Sequence, residues 1–149
     1  LKFNSPGILT IILPNLTGKR YLTLLEMKDE QVLTEPPLTA DGWFPVAYLG
    51  DIWFGTAVIP WSNFEQLSYI TDPGEKGRGV AKIQNLLSLA GHPNLNITGI
   101  YDTETIQAVS ELQKRTGLSP DGRIGAKTLL QLYRLVGFEM PQLTREFTQ

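Results

Sequence analysis

Apolar residues come in short runs over the first sixty or so positions and at intervals of three and four after residue 74. The first pattern predicts strands and the second helices. Strands are expected at Ile8 to Leu13, Tyr21 to Leu25 and Gln31 to Thr34, separated by the turn formers Pro14, Asn15, Gly18 and Asp29. That spacing suggests a meander or small antiparallel sheet. Pro36, Pro37, Asp41 and Gly42 interrupt it, Val46 to Trp53 reads as a helical turn, and Thr56 to Ile59 as a further strand ahead of Pro60. Trp43, Trp53 and Trp61 fall in this half, where large aromatics serve either as sheet core or as a ligand platform.

Beyond Asp72, Pro73 and Gly74 the period becomes helical. Val80, Ile83, Leu86, Leu87 and Ala90 define a helix over 79–90 that stops at Gly91. Asp102 is placed to cap a second helix, a role worth about 1 kcal/mol, with Thr105, Ile106, Val109 and Leu112 on its inner face and its end near Gly117. A third starts around Ala126, buries Leu129, Leu132, Tyr133 and Val136, and ends at Gly137. The expected fold class is α+β, with a β-rich lobe over 1–73, a three-helix lobe over 74–137 and a C-terminal tail over 138–149. A bundle of about 60 residues has a marginal core of its own, so the strand half is expected to support it.

Composition narrows the function. With 42% hydrophobic and 19% charged residues the chain can bury a core, and a net charge of −2 argues against a nucleic-acid partner. Residues 1–73 carry four basic and eight acidic side chains, whereas 74–137 carry eight and five, a weak hint of an anionic partner for the second lobe. There is no cysteine, hence neither a disulfide framework nor a thiol nucleophile, and the single histidine, His92, is too few for the usual zinc sites. No apolar run is long enough for a membrane span, and the start, LKFNSPG, has neither methionine nor signal-peptide pattern, so a piece of a longer protein is expected.

The most specific signal is an internal repeat. TGIYDTET at 98–105 and DGRIGAKT at 121–128 align at an offset of 23, pairing Gly99 with Gly122, Tyr101 with Ile124 and Thr105 with Thr128. Each copy reads as a corner: glycine permits a turn with positive φ, the apolar residue plugs the core, and threonine enters the first turn of a helix.

These residues carry a family resemblance. Gly74, Gly77, Val80, Ile83, Gln84 and Leu87 are followed by Gly99, Tyr101, Asp102, Thr105, Ala108 and Val109. Leu112, Gln113, Gly117, Leu118, Asp121, Gly122, Ile124, Gly125, Thr128 and Leu132 complete the set. Together they closely resemble the type-one peptidoglycan-binding domain, a three-helix fold appended to wall hydrolases and other envelope proteins. Ile83 and Leu112 stand where that family often has Leu and Phe. In the first half, the strand pattern and WFGTAVIPW at 53–61 are similar to a degenerate papain-like cysteine peptidase. The pairing resembles the periplasmic region of the general secretion pathway protein A family, in which a cytoplasmic ATPase and a membrane span come first. The resemblance implies a periplasmic location, with contact to the membrane only through a segment outside this chain. It also implies no cofactor, peptidoglycan as ligand, and secretion-pathway protein B and the secretin as partners in assembling the type II secretin.

The chemistry agrees with a binding role. A papain-like peptidase without a thiol is inactive, and serine chemistry would need His92, which sits in a polar loop beside Pro93 and Asn94. Glu65, Asp72 and Glu75 supply carboxylates for a glycosidase, but such pairs occur in any chain. GEKGRG at 74–79 lacks the spacing of a phosphate loop and reads as a linker into the first helix. The ligand candidates are Asp121 and Arg123, flanking the Gly122 loop tip, with Gln113, Tyr101, Gln84 and His92. Each has a plainer alternative: Gln84 and Gln113 as ties between loop and helix, Tyr101 as core, Asp121 and Arg123 as a solvated turn. Wall adhesion is the expected function, with a secretion-system interaction module and a wall hydrolase as alternatives.

Overall fold

The computed structural model describes residues 3–67 and 72–144. They form two compact units, one of residues 3–60 and 140–144 and the other of residues 61–67 and 72–139. The first unit therefore draws on both ends of the chain.

That unit is a five-stranded antiparallel sheet in the order β4-β3-β2-β1-β5. Its strands are β1 (Gly7–Ile11), β2 (Arg20–Lys28), β3 (Gln31–Glu35), β4 (Trp43–Pro45) and β5 (Trp53–Val58). β1 to β3 form the expected meander. A 3-10 turn (Val46–Tyr48) and the short helix α1 (Leu49–Ile52) occupy the predicted helical turn before β5. Alternation decides which face is covered. Leu9, Ile11, Leu22, Leu24 and Val32 point to one side and are buried with Leu49, Ile52 and Leu143. The opposite side leaves Ile8, Tyr21, Leu25 and Val58 exposed. Leu143 is fixed by the Met27 amide donating to its carbonyl at 2.7 Å and by its own amide donating to Asn4 at 3.2 Å. The segment read as a tail thus contributes to this core.

The tryptophans are divided between the units. Trp43 and Trp53 lie on the two edge strands, both half-buried, with Trp53 packed against the core. Trp61 belongs to the other unit, where its ring lies 6.3 Å from that of Tyr133.

The second unit holds α2 (Arg78–Leu89), α3 (Thr103–Arg115) and α4 (Ala126–Val136). Val80, Ile83, Leu86, Leu87, Val109, Leu112, Leu129 and Leu132 form its interior, as their spacing predicts. Ile106 and Val136, expected inside, are only half-buried. Asp102 caps α3 by accepting from the Thr105 amide at 2.9 Å, and α4 ends in the left-handed Gly137. Residues 61–67 join this unit because Tyr133 on α4 collects Trp61, Phe64 and Phe138 around its ring. Its hydroxyl meanwhile donates to Asn63 at 2.9 Å. With Glu65, Asp72 and Glu139 included, the unit carries eight basic and eight acidic side chains, so no net charge draws it to an anionic partner.

Candidate functional site

The two copies of the repeat are two glutamine-held loops. Gln84 on α2 reaches the 98–105 loop: its Oε1 accepts from the Gly99 amide at 2.8 Å. Its Nε2 donates to Thr98 Oγ1 (3.1 Å), the Ile100 carbonyl (2.9 Å) and Thr105 Oγ1 (2.9 Å). Gln113 on α3 does the same for 121–128. Its Oε1 accepts from the Gly122 amide at 2.9 Å, and its Nε2 donates to Asp121 Oδ1 (2.8 Å), the Arg123 carbonyl (2.9 Å) and Thr128 Oγ1 (3.2 Å). Every partner in the second loop is 23 positions beyond its counterpart in the first. Thr98 and Asp121 are thus equivalent, and each also accepts from the amide two residues on. Gly99 and Gly122 share a φ of +69°.

Both glutamines are fully buried, and their amide groups are spent on the loops. Tyr101 is buried as well; its ring fills the core and its hydroxyl donates to the Gly122 carbonyl at 2.8 Å, tying the first loop to the second. Burial, with the nearby Asp121, Asp72 and Glu75 charges, pushes its pKa well up, so it remains a phenol. The first loop is held from its other side too. Lys76 bridges to Ile100, and the Gly74 and Gly77 amides donate to Tyr101 and Gly99 carbonyls. GEKGRG is thereby a short antiparallel partner of the loop, and these bonds occupy its Gly74 and Gly77 amides.

What faces solvent is the tip of the second loop. Asp121 and Arg123 are exposed, and Arg123 Nη1 lies 3.1 Å from Asp72 Oδ1. The Arg123 amide, then the Gln113 side chain, hold the Asp121 carboxyl below its ordinary range, so it stays ionised. Gly122 is tied to this geometry, since a Cβ there would come within 2.8 Å of Ile106 Cγ2 and 3.0 Å of Ser110 Oγ.

His92 lies elsewhere. Residues Ile106, Ser110 and Gln113 of α3 face the Gly122 loop, whereas Glu104, Gln107 and Glu111 lie on another side of the helix. There they join Gly91, His92, Pro93, Asn94, Leu95 and Ala108 around an open groove of about 330 Å³. His92 Nδ1 is 3.7 Å from Glu111 Oε2. The structure therefore brings Gln84, Tyr101, Gln113, Asp121 and Arg123 into one system and leaves His92 in another. Sequence reasoning passed over Glu104, Gln107 and Glu111, whose helical spacing was the available signal. Among the described residues no group of three or more His, Cys, Asp or Glu side chains could hold a metal ion.

Residues 76–132 match the family described as "Putative peptidoglycan binding domain", and the resemblance read from the repeat is borne out there. The chain is also similar to General secretion pathway protein A of Aeromonas hydrophila, 28% identical over 99 residues that cover 66% of this chain and 18% of that protein. It is similar to the N-acetylmuramoyl-L-alanine amidase CwlL of Bacillus licheniformis as well, 39% identical over 61 residues, 40% of this chain and 17% of that enzyme. The chain thus spans less than a fifth of either relative. Among solved structures, a periplasmic domain of the EpsAB fusion protein of the Vibrio vulnificus type II secretion system aligns with a TM-score of 0.48 and 23% identity. The alignment covers 93% of this chain and 60% of that one.

Proposed function

We propose that the chain binds peptidoglycan without cleaving it, through the helical unit, and that the tip of its second loop, Asp121 and Arg123, touches the ligand. The observation that carries the reading is the match of residues 76–132 to the peptidoglycan-binding family. The geometry supports it: buried glutamines hold a loop rigidly and leave a charged, hydrogen-bonding tip at the surface, which lowers the entropy cost of recognition. In this reading Gln84, Gln113 and Tyr101 position the loops, while Arg123 and Asp121 supply bonds to wall hydroxyls and amides.

The similarity to General secretion pathway protein A supports a place in type II secretion. There a periplasmic wall-binding segment would help the secretin assemble, with protein B and the secretin as partners. The sheet unit, taken as a degenerate papain-like domain, lacks the thiol that chemistry requires. A second reading, an interaction module centred on the sheet unit, draws on the exposed Ile8, Tyr21, Leu25 and Val58.

Sedimentation with purified sacculi tests the proposal. Residues 61–139 should pellet with the wall as the whole chain does, and neither should clear sacculi in a zymogram. Failure of the whole chain to pellet would remove wall binding, and clearing by pure protein would make it a hydrolase.

A further inference from the structure

The groove beside α3 has a chemistry unlike that of the Arg123 loop. The 91–95 turn lends it the apolar Pro93 and Leu95 with Asn94, and α3 lends it the hydrogen-bond acceptors of Glu104, Gln107 and Glu111 around Ala108. Among the described residues no lysine or arginine lines it. Arg115 sits at the Gly91 end and donates to the Ala90 carbonyl at 2.6 Å, closing the end of α2. Asn96 donates to Glu104 Oε2 at 3.3 Å, which steadies that carboxylate. His92 contributes a side chain only 15% exposed whose Nε2 is buried and has no hydrogen-bond partner among the described residues.

A volume of about 330 Å³ is at the small end of ligand sites, enough for one extended side chain and its neighbours. The lining selects among the groups a cell wall offers. Glycan hydroxyls can donate to the two carboxylates but leave their charges uncompensated, and stem-peptide carboxylates are repelled by them. An ammonium at the end of an aliphatic stem fits turn and helix alike, laying its methylenes on Pro93 and Leu95 while the charged end bonds the glutamates. We infer that this groove receives the side-chain ammonium of a diamino acid in the stem peptide, an inference that rests on the wall-binding reading above. Two contacts then divide the work: the Arg123 loop meets hydroxyl and amide acceptors, and the groove meets the amine.

The test uses the whole chain, labelled with 15N, and two soluble probes. One is a disaccharide–tripeptide fragment ending in L-lysine, whose side-chain amine carries no adjacent carboxylate, and the other is the same fragment N-acetylated at that amine. The free amine should shift the backbone amides of residues 91–95 and 104–111 and bind at least fivefold more tightly than the capped probe. The Glu104→Gln/Glu111→Gln double variant should lose that preference. Equal affinity for both probes, or shifts confined to 121–125, would overturn the groove assignment and leave wall binding standing. The same holds if neither probe binds but sacculi still pellet the protein. Absence of both probe binding and sacculus binding would overturn both.

Discussion

The Tyr101 hydroxyl donates to the Gly122 carbonyl across 2.8 Å inside the helical unit, so a residue of the first repeat loop holds the tip of the second. Removing the hydroxyl leaves that carbonyl buried and unpaired. Tyr101→Phe is expected to cost about 1–3 kcal/mol in urea denaturation while keeping the helical circular-dichroism spectrum. A variant as stable as the parent would show that the two loops stand independently.

Gly122 and Gly74 provide a controlled comparison of two glycines at positive φ. Both need the left-handed conformation, at +69° and +89°, but only Gly122 has neighbours where a Cβ would go, Ile106 Cγ2 at 2.8 Å and Ser110 Oγ at 3.0 Å. Gly74→Ala should cost about 1 kcal/mol from backbone strain alone, whereas Gly122→Ala adds overpacking of about 1–3 kcal/mol. Thermal melts of the two variants decide the point, and equal losses would mean that the loop yields to the added methyl.

Acid should weaken the helical unit through its two loop aspartates. The Thr105 amide and hydroxyl hold Asp102 below the ordinary 3.8, and the Arg123 amide followed by the Gln113 side chain does the same for Asp121. Folded values below the unfolded one mean that the stabilisation is complete above 3.8 and is lost as pH falls through the lower folded values. The melting temperature is therefore expected to fall below that pH. Asp102→Asn with Asp121→Asn, which keep the side-chain acceptors, should flatten the decline. An unchanged pH profile in the double variant would assign the acid sensitivity to other carboxylates.

In the sheet unit Leu143 is 1% exposed among core residues that lie 91 or more positions earlier in the chain. Leu143→Ala is expected to cost about 2–5 kcal/mol, the range for emptying a buried leucine site. Urea unfolding followed by tryptophan fluorescence, which includes Trp53 against that core, gives the measurement. A loss under about 0.5 kcal/mol, the usual size of surface effects, would show that the segment adheres without supporting the core.

Helices were the most legible part of the chain because burial follows their period so closely: the segment 126–136 matches α4 from end to end, and Asp102 announced the start of α3. β4 escaped because three residues ending in Pro45 carry too little alternation to register. The role of Leu143 was hidden for a different reason, since a contact made across the whole length of the chain leaves no local pattern. At the site, the glycines and threonines of the repeat were visible, but the equivalence of Thr98 and Asp121 was not. They share a function as acceptors from glutamine without sharing a side chain. The basic bias of 74–137 also dissolved once Glu65, Asp72 and Glu139 proved to belong to the same unit. Diffuse attraction is thereby a weaker account of wall binding than directed bonds from the loop.

Comparing Arg123→Ala with Lys114→Ala in sacculus sedimentation tests that account most directly. Arg123 stands at the loop tip and Lys114 on the exposed side of α3, so the two variants lose the same charge in different places. A charge-assisted bond is worth about 1.5–3 kcal/mol and a distant exposed charge much less, so Arg123→Ala should weaken binding about tenfold or more and Lys114→Ala hardly at all. Circular dichroism should show both variants folded. Equal losses would mean diffuse electrostatic adhesion, and undiminished binding by Arg123→Ala would contradict the placing of the ligand at this loop.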